Sequence, residues 1–251
     1  MLGLTPSGLR VIVTGATGGI GRALAETLLA CDCAVAACDV PGAPVGDVTA
    51  VTATFDVRDP EAVRRGVADA IESLGGCDAV IANAGIVDTI HRAERFSDEE
   101  WRKDIETNLY GAFWVVQAAF EALLASGDGR IVLISSVAAE VGLPGQVAYG
   151  ASKAGIVGMA RTLAAEWGPR GIRCNAVMPG MIATPRCARC PRPRAMARWP
   201  RSRSAASASP RSWPASPPSC SRRRRRTSTE QSSGSTAGSA CRCDDSERGS
   251  R

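Results

Sequence analysis

Residues 14–21 read TGATGGIG, and they join a β-branched apolar run at residues 9–14 to a helical pattern at residues 19–30. Glycines between a strand and a helix let the backbone approach a phosphate, whose negative charge is stabilised at the helix N-terminus. The spacing G-x-x-x-G-x-G is more selective than a lone glycine-rich turn. The stretch predicts a dinucleotide-binding unit, with a tight strand–helix connection as the simpler alternative.

The alternation of strand and helix patterns continues to residue 185. Further strands are predicted at residues 34–39, 51–57, 79–82, 130–135 and 172–178, and helices at residues 19–30, 97–124 and 147–167 and after Asp59. Asp59 before Pro60, and Ser97 three residues before Glu100, are typical of helix N-termini. The pattern predicts a doubly wound, Rossmann-like α/β fold, with a parallel sheet covered by helices on both faces.

Asp39 ends the second predicted strand, 24 residues after Gly15. A carboxylate at this position can accept hydrogen bonds from an adenosine ribose and would repel a 2′-phosphate. No Arg or Lys stands at positions 16–17 or 39–40 to hold such a phosphate. The residue therefore favours NAD over NADP, although Asp39 could instead begin the turn before Pro41.

Ser136, Tyr149 and Lys153 form a second group of candidate residues. Tyr149 and Lys153 are four residues apart near the start of a predicted helix, so they share one face. An ammonium near a phenol lowers the phenol pKa from about 10, so that the tyrosine can exchange a proton near neutral pH. Ser136 follows the fifth predicted strand and could hold a substrate oxygen. A Tyr-x-x-x-Lys pair alone is more often a solvated helix face.

Residues 9–185 carry these features in a fixed order together with several other motifs. The motifs are TGATGGIG at 14–21, Asp56-Val57, Asn83-Ala84-Gly85, Asn108, Ser135-Ser136, Tyr149 with Lys153, and NAVMPG at 175–180. The region resembles the short-chain dehydrogenase/reductase family. The resemblance implies an oxidoreductase that transfers a hydride between NAD(H) and a secondary alcohol or ketone. An NADPH-dependent 3-oxoacyl ketoreductase of lipid or polyketide synthesis is the alternative.

The resemblance also implies the site residues. The implied catalytic set is Asn108, Ser136, Tyr149 and Lys153. Tyr149 is the implied general acid/base, Ser136 orients the substrate oxygen, and Lys153 lowers the Tyr149 pKa. Asn108 is implied to hold a helix backbone open to a water. The implied cofactor contacts are Gly15, Thr17, Gly18, Gly19, Ile20, Gly21, Asp39, Asp56, Val57, Asn83, Ala84, Gly85, Tyr149, Lys153, Pro179, Gly180, Ile182 and Thr184. The implied substrate contacts are Ser136, Ala138, Gln146 and Tyr149.

The composition changes abruptly after Pro185. The chain of 251 residues has 30 basic and 25 acidic residues, of which residues 1–185 hold 14 and 21. The remaining residues, 186–251, hold 16 Arg and 4 acidic residues and no Val, Ile, Leu or Phe. Such a segment cannot bury enough apolar surface to offset its ordering entropy, so we expect no packed core there. Residues 1–185 are predicted to be one dinucleotide-binding and catalytic domain.

Three hypotheses account for residues 186–251. The arginine run at 222–226 could bind nucleic acid, and Cys187, Cys190, Cys241 and Cys243 could bind a metal. The third hypothesis is a shifted reading frame. If each true codon begins one nucleotide earlier, residues 227–238 can read YVNGAVLWVDGG and residues 202–214 can read IPLGRFGEPEELA, strings similar to those of the family at this distance from the tyrosine. We favour the frameshift near codon 186, which would remove the last strand and the substrate-covering helix that the resemblance implies and leave a non-functional product.

The sequence also excludes several classes of protein. No apolar run reaches the roughly 18–20 residues of a membrane helix, and no signal peptide pattern opens the chain. Five cysteines of the first 185 residues follow no metal-ligand spacing and fit reduced thiols. We therefore expect a cytoplasmic enzyme with no metal, membrane or nucleic-acid partner. The resemblance implies a homotetramer or homodimer for the protein with its reading frame restored. His91, the one histidine, is expected at the surface or lining the cleft.

Overall fold

The computed structural model describes residues 7–49, 51–180 and 182, and the structural statements below refer to these residues. Thr184 and the whole of residues 186–251, for which the sequence makes predictions, lie outside this part of the chain. The strands are β1 (Arg10–Thr14), β2 (Ala34–Asp39), β3 (Val51–Thr54), β4 (Ala79–Ala82), β5 (Gly129–Ile134) and β6 (Ile172–Val177).

Longer helices follow most of the strands. They are α1 (Gly19–Ala30), α2 (Pro60–Leu74), α3 (Asp98–Ile105), α4 (Gly111–Ala118), α5 (Phe120–Ala125) and α6 (Val147–Trp167), with a π-helical turn at Glu106–Tyr110 between α3 and α4. Short 3₁₀ turns lie at Val45–Asp47, Ala93–Arg95, Val137–Ala139 and Gly168–Arg170. In the described ranges, no helix is long and apolar enough to cross a membrane.

The six described strands form one parallel sheet in the order β3-β2-β1-β4-β5-β6. The predicted doubly wound, Rossmann-like architecture is therefore confirmed. The chain winds outward from β1 to β3 and then returns to the other side of β1 at β4. Ligands of such sheets bind at this reversal, outside the carboxyl ends of the strands. The ends of β1 and β4 consequently mark the expected site.

The apolar core lies in two layers, one on each face of the sheet. One layer packs alternate strand residues against α2, α4, α5 and α6, with Ile12, Val67, Val115, Leu123 and Ile156 almost completely buried. The other layer packs the opposite strand residues chiefly against α1. Because both faces of the central strands are buried, their sequences are continuous apolar runs.

Two predicted elements differ from the structure by more than one residue at an end. The third strand, predicted to residue 57, ends at Thr54, and the helix predicted over residues 97–124 is interrupted at Glu106–Tyr110 and again at Ala119. The buried side chains of Phe55 and Val57 mimic a strand pattern, but they follow the last paired residue of β3. The predicted N-termini are confirmed: Asp59 accepts hydrogen bonds from two N–H groups of α2, and Ser97 forms a capping box with Glu100.

Candidate active site

The turn after β1 is shaped by close backbone contacts. Gly15 has a φ of +63°, and a Cβ atom there would lie 2.9 Å from Cα of Ala84, after β4. A Cβ atom on Gly21 would lie 2.1 Å from the carbonyl oxygen of Gly15. Only glycine fits both positions, so the turn folds tightly over the ends of β1 and β4.

The N-terminus of α1 opens into the cleft beyond this turn. Its N-cap residue, Gly18, offers no side chain, and the first turn of α1 contains no acidic residue. In contrast, α2 and α3 are capped by Asp59 and Ser97. The partial positive charge and backbone N–H groups at the start of α1 are thus suited to an external anion such as a pyrophosphate.

Asp39 lies at the end of β2 and contacts the same turn. Its Oδ2 accepts hydrogen bonds from the backbone N–H and the hydroxyl of Thr17, at 3.0 and 2.6 Å, and its Oδ1 accepts one from the N–H of Val40 at 2.9 Å. The carboxylate is therefore fixed at the rim of the cleft, where it presents negative charge.

Asn83 joins the ends of β1 and β4. Its Nδ2 donates to the carbonyl oxygens of Thr14 and Gly15, at 3.0 and 3.1 Å, while the Thr14 hydroxyl oxygen accepts hydrogen bonds from the N–H groups of Asn83 and Ala84. The side-chain amide thus donates to backbone oxygens, and Asn83 forms part of the wall of the cleft.

Asp56 is paired with Arg58, a cation that the sequence analysis missed. The Arg58 guanidinium donates to both carboxylate oxygens, from Nε at 3.1 and 3.0 Å and from one terminal nitrogen at 2.6 Å. These hydrogen bonds hold the pKa of Asp56 below its usual value, mainly through the Arg58 side chain. The cleft therefore contains an ionised Asp56 carboxylate whose negative charge is balanced by the Arg58 guanidinium.

Lys153 is a buried cation beside Tyr149. It is 4% exposed, its Nζ donates to the carbonyl oxygen of Ile134 at 2.8 Å, and Nζ lies 5.9 Å from the centroid of the Tyr149 ring. Burial lowers the pKa of Lys153 to about 8. The ammonium form therefore still predominates at neutral pH. Ser135 stabilises the helix here, because its hydroxyl donates to the Lys153 carbonyl oxygen at 2.7 Å.

Ser136 lies two residues beyond the end of β5, where it precedes the 3₁₀ turn Val137–Ala139. Its hydroxyl oxygen accepts a hydrogen bond from the N–H of Ala138 at 3.1 Å, an interaction that does not use the hydroxyl hydrogen. Ser136 lines the cleft, as do Tyr149 and Gln146. Ala138 is buried and is not among the residues that line this cleft, so its predicted substrate contact stays a prediction.

Asn108 is fully buried at the centre of the π-helical turn. Its Oδ1 accepts from the N–H of Ile86 at 2.7 Å, and its Nδ2 donates to the Ile86 carbonyl oxygen at 3.0 Å and to the Ser152 hydroxyl at 3.3 Å. The side chain thereby links the widened helix to the segment after β4 and to α6, which carries Tyr149 and Lys153.

These residues, apart from Asn108 and Ala138, surround one cleft of about 760 Å³, and neither of those two is among its lining residues. The predicted contacts that line it are Gly15, Thr17, Gly18, Gly19, Ile20, Gly21, Asp39, Asp56, Val57, Asn83, Ala84, Gly85, Ser136, Gln146, Tyr149, Lys153, Pro179, Gly180 and Ile182. Lining residues that the sequence analysis did not identify include Cys38, Val40, Phe55, Arg58, Lys103 and Thr107. Val40 and Arg58 adjoin predicted contacts in sequence, whereas no pattern marked Lys103 or Thr107. Burial raises the pKa of the Cys38 thiol to about 12, which makes it a poor nucleophile.

A glycine turn, an acidic rim and a Tyr–Lys pair line one cleft of a doubly wound sheet, and comparison with known proteins identifies the class of oxidoreductase to which such a chain belongs. The sequence profile described as short chain dehydrogenase matches residues 10–193, so the chain belongs to the short chain dehydrogenase family, whose members use nicotinamide cofactors.

Three relatives illustrate the range of similar proteins. A (3R)-3-hydroxyacyl-CoA dehydrogenase of Mus musculus is 40% identical over 205 residues, covering 72% of this chain and 76% of the relative. A 3-oxoacyl-[acyl-carrier-protein] reductase of Escherichia coli (strain K12) is 37% identical over 179 residues, covering 69% and 73%. The crystal structure of carveol dehydrogenase from Mycobacterium avium in complex with NAD is 34% identical with a TM-score of 0.66, covering 70% and 71%.

Proposed function

We propose that this chain is an NAD(H)-dependent dehydrogenase or reductase of secondary alcohols and ketones, in which Tyr149 is the general acid/base. The observation that carries the proposal is the shared cleft. The glycine turn and Asp39 lie along the same 760 Å³ space as Tyr149 and Lys153. A dinucleotide site and a proton-transferring pair are thus continuous.

The described residues fit a nicotinamide dinucleotide. The close backbone contacts at Gly15 and Gly21 keep the turn near the ends of β1 and β4, which leaves room for the cofactor. The α1 N-terminus, which has no side-chain cap, would hold the pyrophosphate. Asp39 would bind the adenosine ribose, and residues 56–57 and 83–85 would form the walls near the adenine. When bound, the cofactor supplies the hydride acceptor or donor. Residues 179–182 and Lys153 would lie at its nicotinamide end.

Tyr149 would move the proton at its phenolic oxygen. The positive charge of Lys153, whose Nζ lies 5.9 Å from the ring centroid, would favour the phenolate form of Tyr149. Ser136 would donate its hydroxyl hydrogen to the substrate oxygen. Asn108 would act through the backbone it fixes, because both of its amide groups bond to the Ile86 backbone.

Asp39 supports NAD over NADP. A 2′-phosphate at the end of β2 would meet the Asp39 carboxylate, and the Arg58 guanidinium in the cleft is already neutralised by Asp56. The carveol dehydrogenase named above was solved with NAD. The NADPH-dependent 3-oxoacyl ketoreductase remains the second candidate, supported by the similarity to the E. coli reductase.

The substrate end of the cleft is largely apolar. Val137, Leu143 and Ile182 line it together with the buried amide of Gln146. This lining suits an uncharged secondary alcohol or ketone, and the similarity to the hydroxyacyl-CoA dehydrogenase makes a 3-hydroxyacyl thioester the first acyl candidate.

A cofactor comparison tests the proposal. The protein with its reading frame restored near codon 186, which is the unaltered chain of every turnover assay here and below, is assayed with NAD and NADP on (3R)-3-hydroxybutyryl-CoA and on neutral secondary alcohols. We expect its turnover with NAD to be at least about tenfold more efficient, about 1.4 kcal/mol. In Asp39→Asn the preference should shrink. Asp32→Asn is the matched control, because Asp32 lies after α1, outside the cleft. A strong NADP preference of the unaltered chain would defeat the proposal.

The remaining parts of the proposal concern the whole protein. We propose a catalytic domain at residues 1–185, a cytoplasmic homo-oligomer, and no nucleic-acid partner. Residues 186–251 are proposed to arise from a shifted reading frame, with an inactive product as the consequence if the printed chain is the one made.

A further inference from the structure

Two loops form the substrate end of the cleft. The β4 loop, residues 83–97, contributes Ile86 and Val87, and the α6 loop, residues 140–146, contributes Leu143 and Gln146. The α6 loop runs directly into the first turn of α6, where the N–H of Gly150 donates to the Gln146 carbonyl oxygen at 2.8 Å. The position of this loop therefore sets the wall beside Tyr149.

The two loops meet at His91 and Gly145. The backbone N–H of His91 donates to the Gly145 carbonyl oxygen at 3.0 Å. Gly145 has a φ of +84°, and a Cβ atom there would lie 2.9 Å from Cγ2 of Ile90. A side chain at position 145 would therefore be strained and would push the loops apart.

The His91 side chain is held by the start of α3. Its Nδ1 lies 3.0 Å from Oε1 of Glu100, and its ring packs edge-on against Phe96 with centroids 6.2 Å apart. The other oxygen of Glu100, Oε2, accepts hydrogen bonds from the N–H and hydroxyl of Ser97, each at 3.0 Å. These contacts lower the pKa of Glu100. The largest contribution comes from the Ser97 N–H, and His91 contributes less. One carboxylate thus caps α3 and anchors His91.

We propose that His91 is a positioning residue for the substrate. Its side chain fixes the β4 loop to Glu100 at the N-terminus of α3. Its backbone fixes the α6 loop through Gly145. The two walls of the substrate end therefore keep a defined separation. We name this arrangement of His91, Glu100 and Gly145 the loop clasp. The substrate role rests on the proposed function, whereas the clasp itself does not.

Hydrogen exchange of the full 251-residue chain tests the clasp without any substrate. In His91→Ala we expect the amides of residues 140–146 to exchange about tenfold faster or more, with β1 and β4 unchanged. His91→Asn should behave like the unaltered chain, because its Nδ2 can take the place of the imidazole Nδ1–H. Ser97→Ala breaks the capping box but leaves the His91–Glu100 contact, so it should affect α3 alone. Unchanged exchange in His91→Ala, or equal acceleration in Ser97→Ala, would overturn the clasp.

Steady-state kinetics test the positioning role. With NAD and the best substrate of the panel above, His91→Ala should raise KM about tenfold, change kcat less than about twofold and leave NADH affinity unaltered. His91→Asn should have the same KM as the unaltered chain. An unchanged KM, or an equal loss of NADH affinity, would overturn the role. If the unaltered chain turns over nothing in the panel, the proposed function fails, and the exchange measurement still decides the clasp.

Discussion

At the scale of single residues, Lys153 carries a positive charge whose burial lowers the stability of the fold. Its side chain is almost completely buried, and burial lowers its pKa to about 8, below the value of about 10.4 expected in the unfolded chain. The protonated form therefore lowers stability at pH values below about 8, and this cost disappears as the pH rises toward about 10. In the proposed mechanism, this unfavourable buried cation supplies the positive charge beside Tyr149.

Asp104 on α3 provides a test of burial at a residue outside the cleft. Its side chain is fully buried, and among the described residues neither carboxylate oxygen has a hydrogen-bond partner. Burial, with smaller contributions from Asp88 and Glu100 that Lys103 opposes, raises its pKa to about 6. The ionised carboxylate should therefore destabilise the fold increasingly as the pH rises from about 4 through about 6.

We accordingly expect Asp104→Asn to stabilise the protein at pH 7.5, by on the order of 2 kcal/mol, and to have little effect at pH 4. Urea unfolding at both pH values measures the difference. Asp69→Asn, at an exposed position of α2, is the control and should show no such pH dependence. A loss of stability in Asp104→Asn at pH 7.5 would contradict this account.

At the scale of elements, the β1–α1 turn depends on one backbone contact. Gly21→Ala would place a methyl group 2.1 Å from the Gly15 carbonyl oxygen, and backbone must move to accept it. We expect lower stability, by about 1–3 kcal/mol, and NADH binding weakened about tenfold or more. Thermal unfolding and NADH fluorescence measure the two effects.

Gly158→Ala is the matched control for this substitution. Gly158 lies in α6 with nothing within 4 Å of an added Cβ atom, so alanine should be neutral or stabilise by up to about 1 kcal/mol. Normal stability and normal NADH binding in Gly21→Ala would show that the turn does not need glycine at this position.

The elements that the sequence predicted well have local signals. The bounds of α1, α6, β2 and β4 were predicted as they are found, because turn residues and apolar periodicity mark their ends. The interruption at Glu106–Tyr110 has no local signal, since the segment is a continuous helical pattern, and only the family resemblance pointed to an opened helix backbone at Asn108. It depends on Asn108 bonding to Ile86, a residue 22 positions away. The cleft cations Arg58 and Lys103 were missed because only the folded chain brings them to the site.

At the scale of the whole molecule, the two faces of the sheet are covered unequally. One face packs against α2, α4, α5 and α6, while the other packs chiefly against α1. On that second face of β6, Arg173, Asn175 and Val177 are exposed in the described structure. In the described part of the chain, β6 is therefore an edge strand with an exposed face, and further chain could cover both.

The frameshift hypothesis predicts that the coding DNA near codon 186 lacks one nucleotide relative to the frame that encodes YVNGAVLWVDGG. Sequencing that region tests it directly. The frame-restored protein should also unfold at a higher temperature than the printed chain. The printed residues 186–251 hold 16 arginines and no Val, Ile, Leu or Phe, whereas the restored frame adds apolar segments that can be buried. DNA that encodes the printed residues 186–251 without a missing nucleotide would contradict the hypothesis.

The central claim is that Tyr149 transfers the proton in an NAD(H)-dependent reaction, and Tyr149→Phe tests it most directly. The variant, its matched control Tyr110→Phe at the other tyrosine, and the unaltered chain are assayed for turnover with NAD and for NADH binding. The account predicts a fall in kcat of about 10²–10⁴-fold for Tyr149→Phe, NADH binding within about twofold, and normal turnover for Tyr110→Phe. Turnover retained in Tyr149→Phe would contradict it.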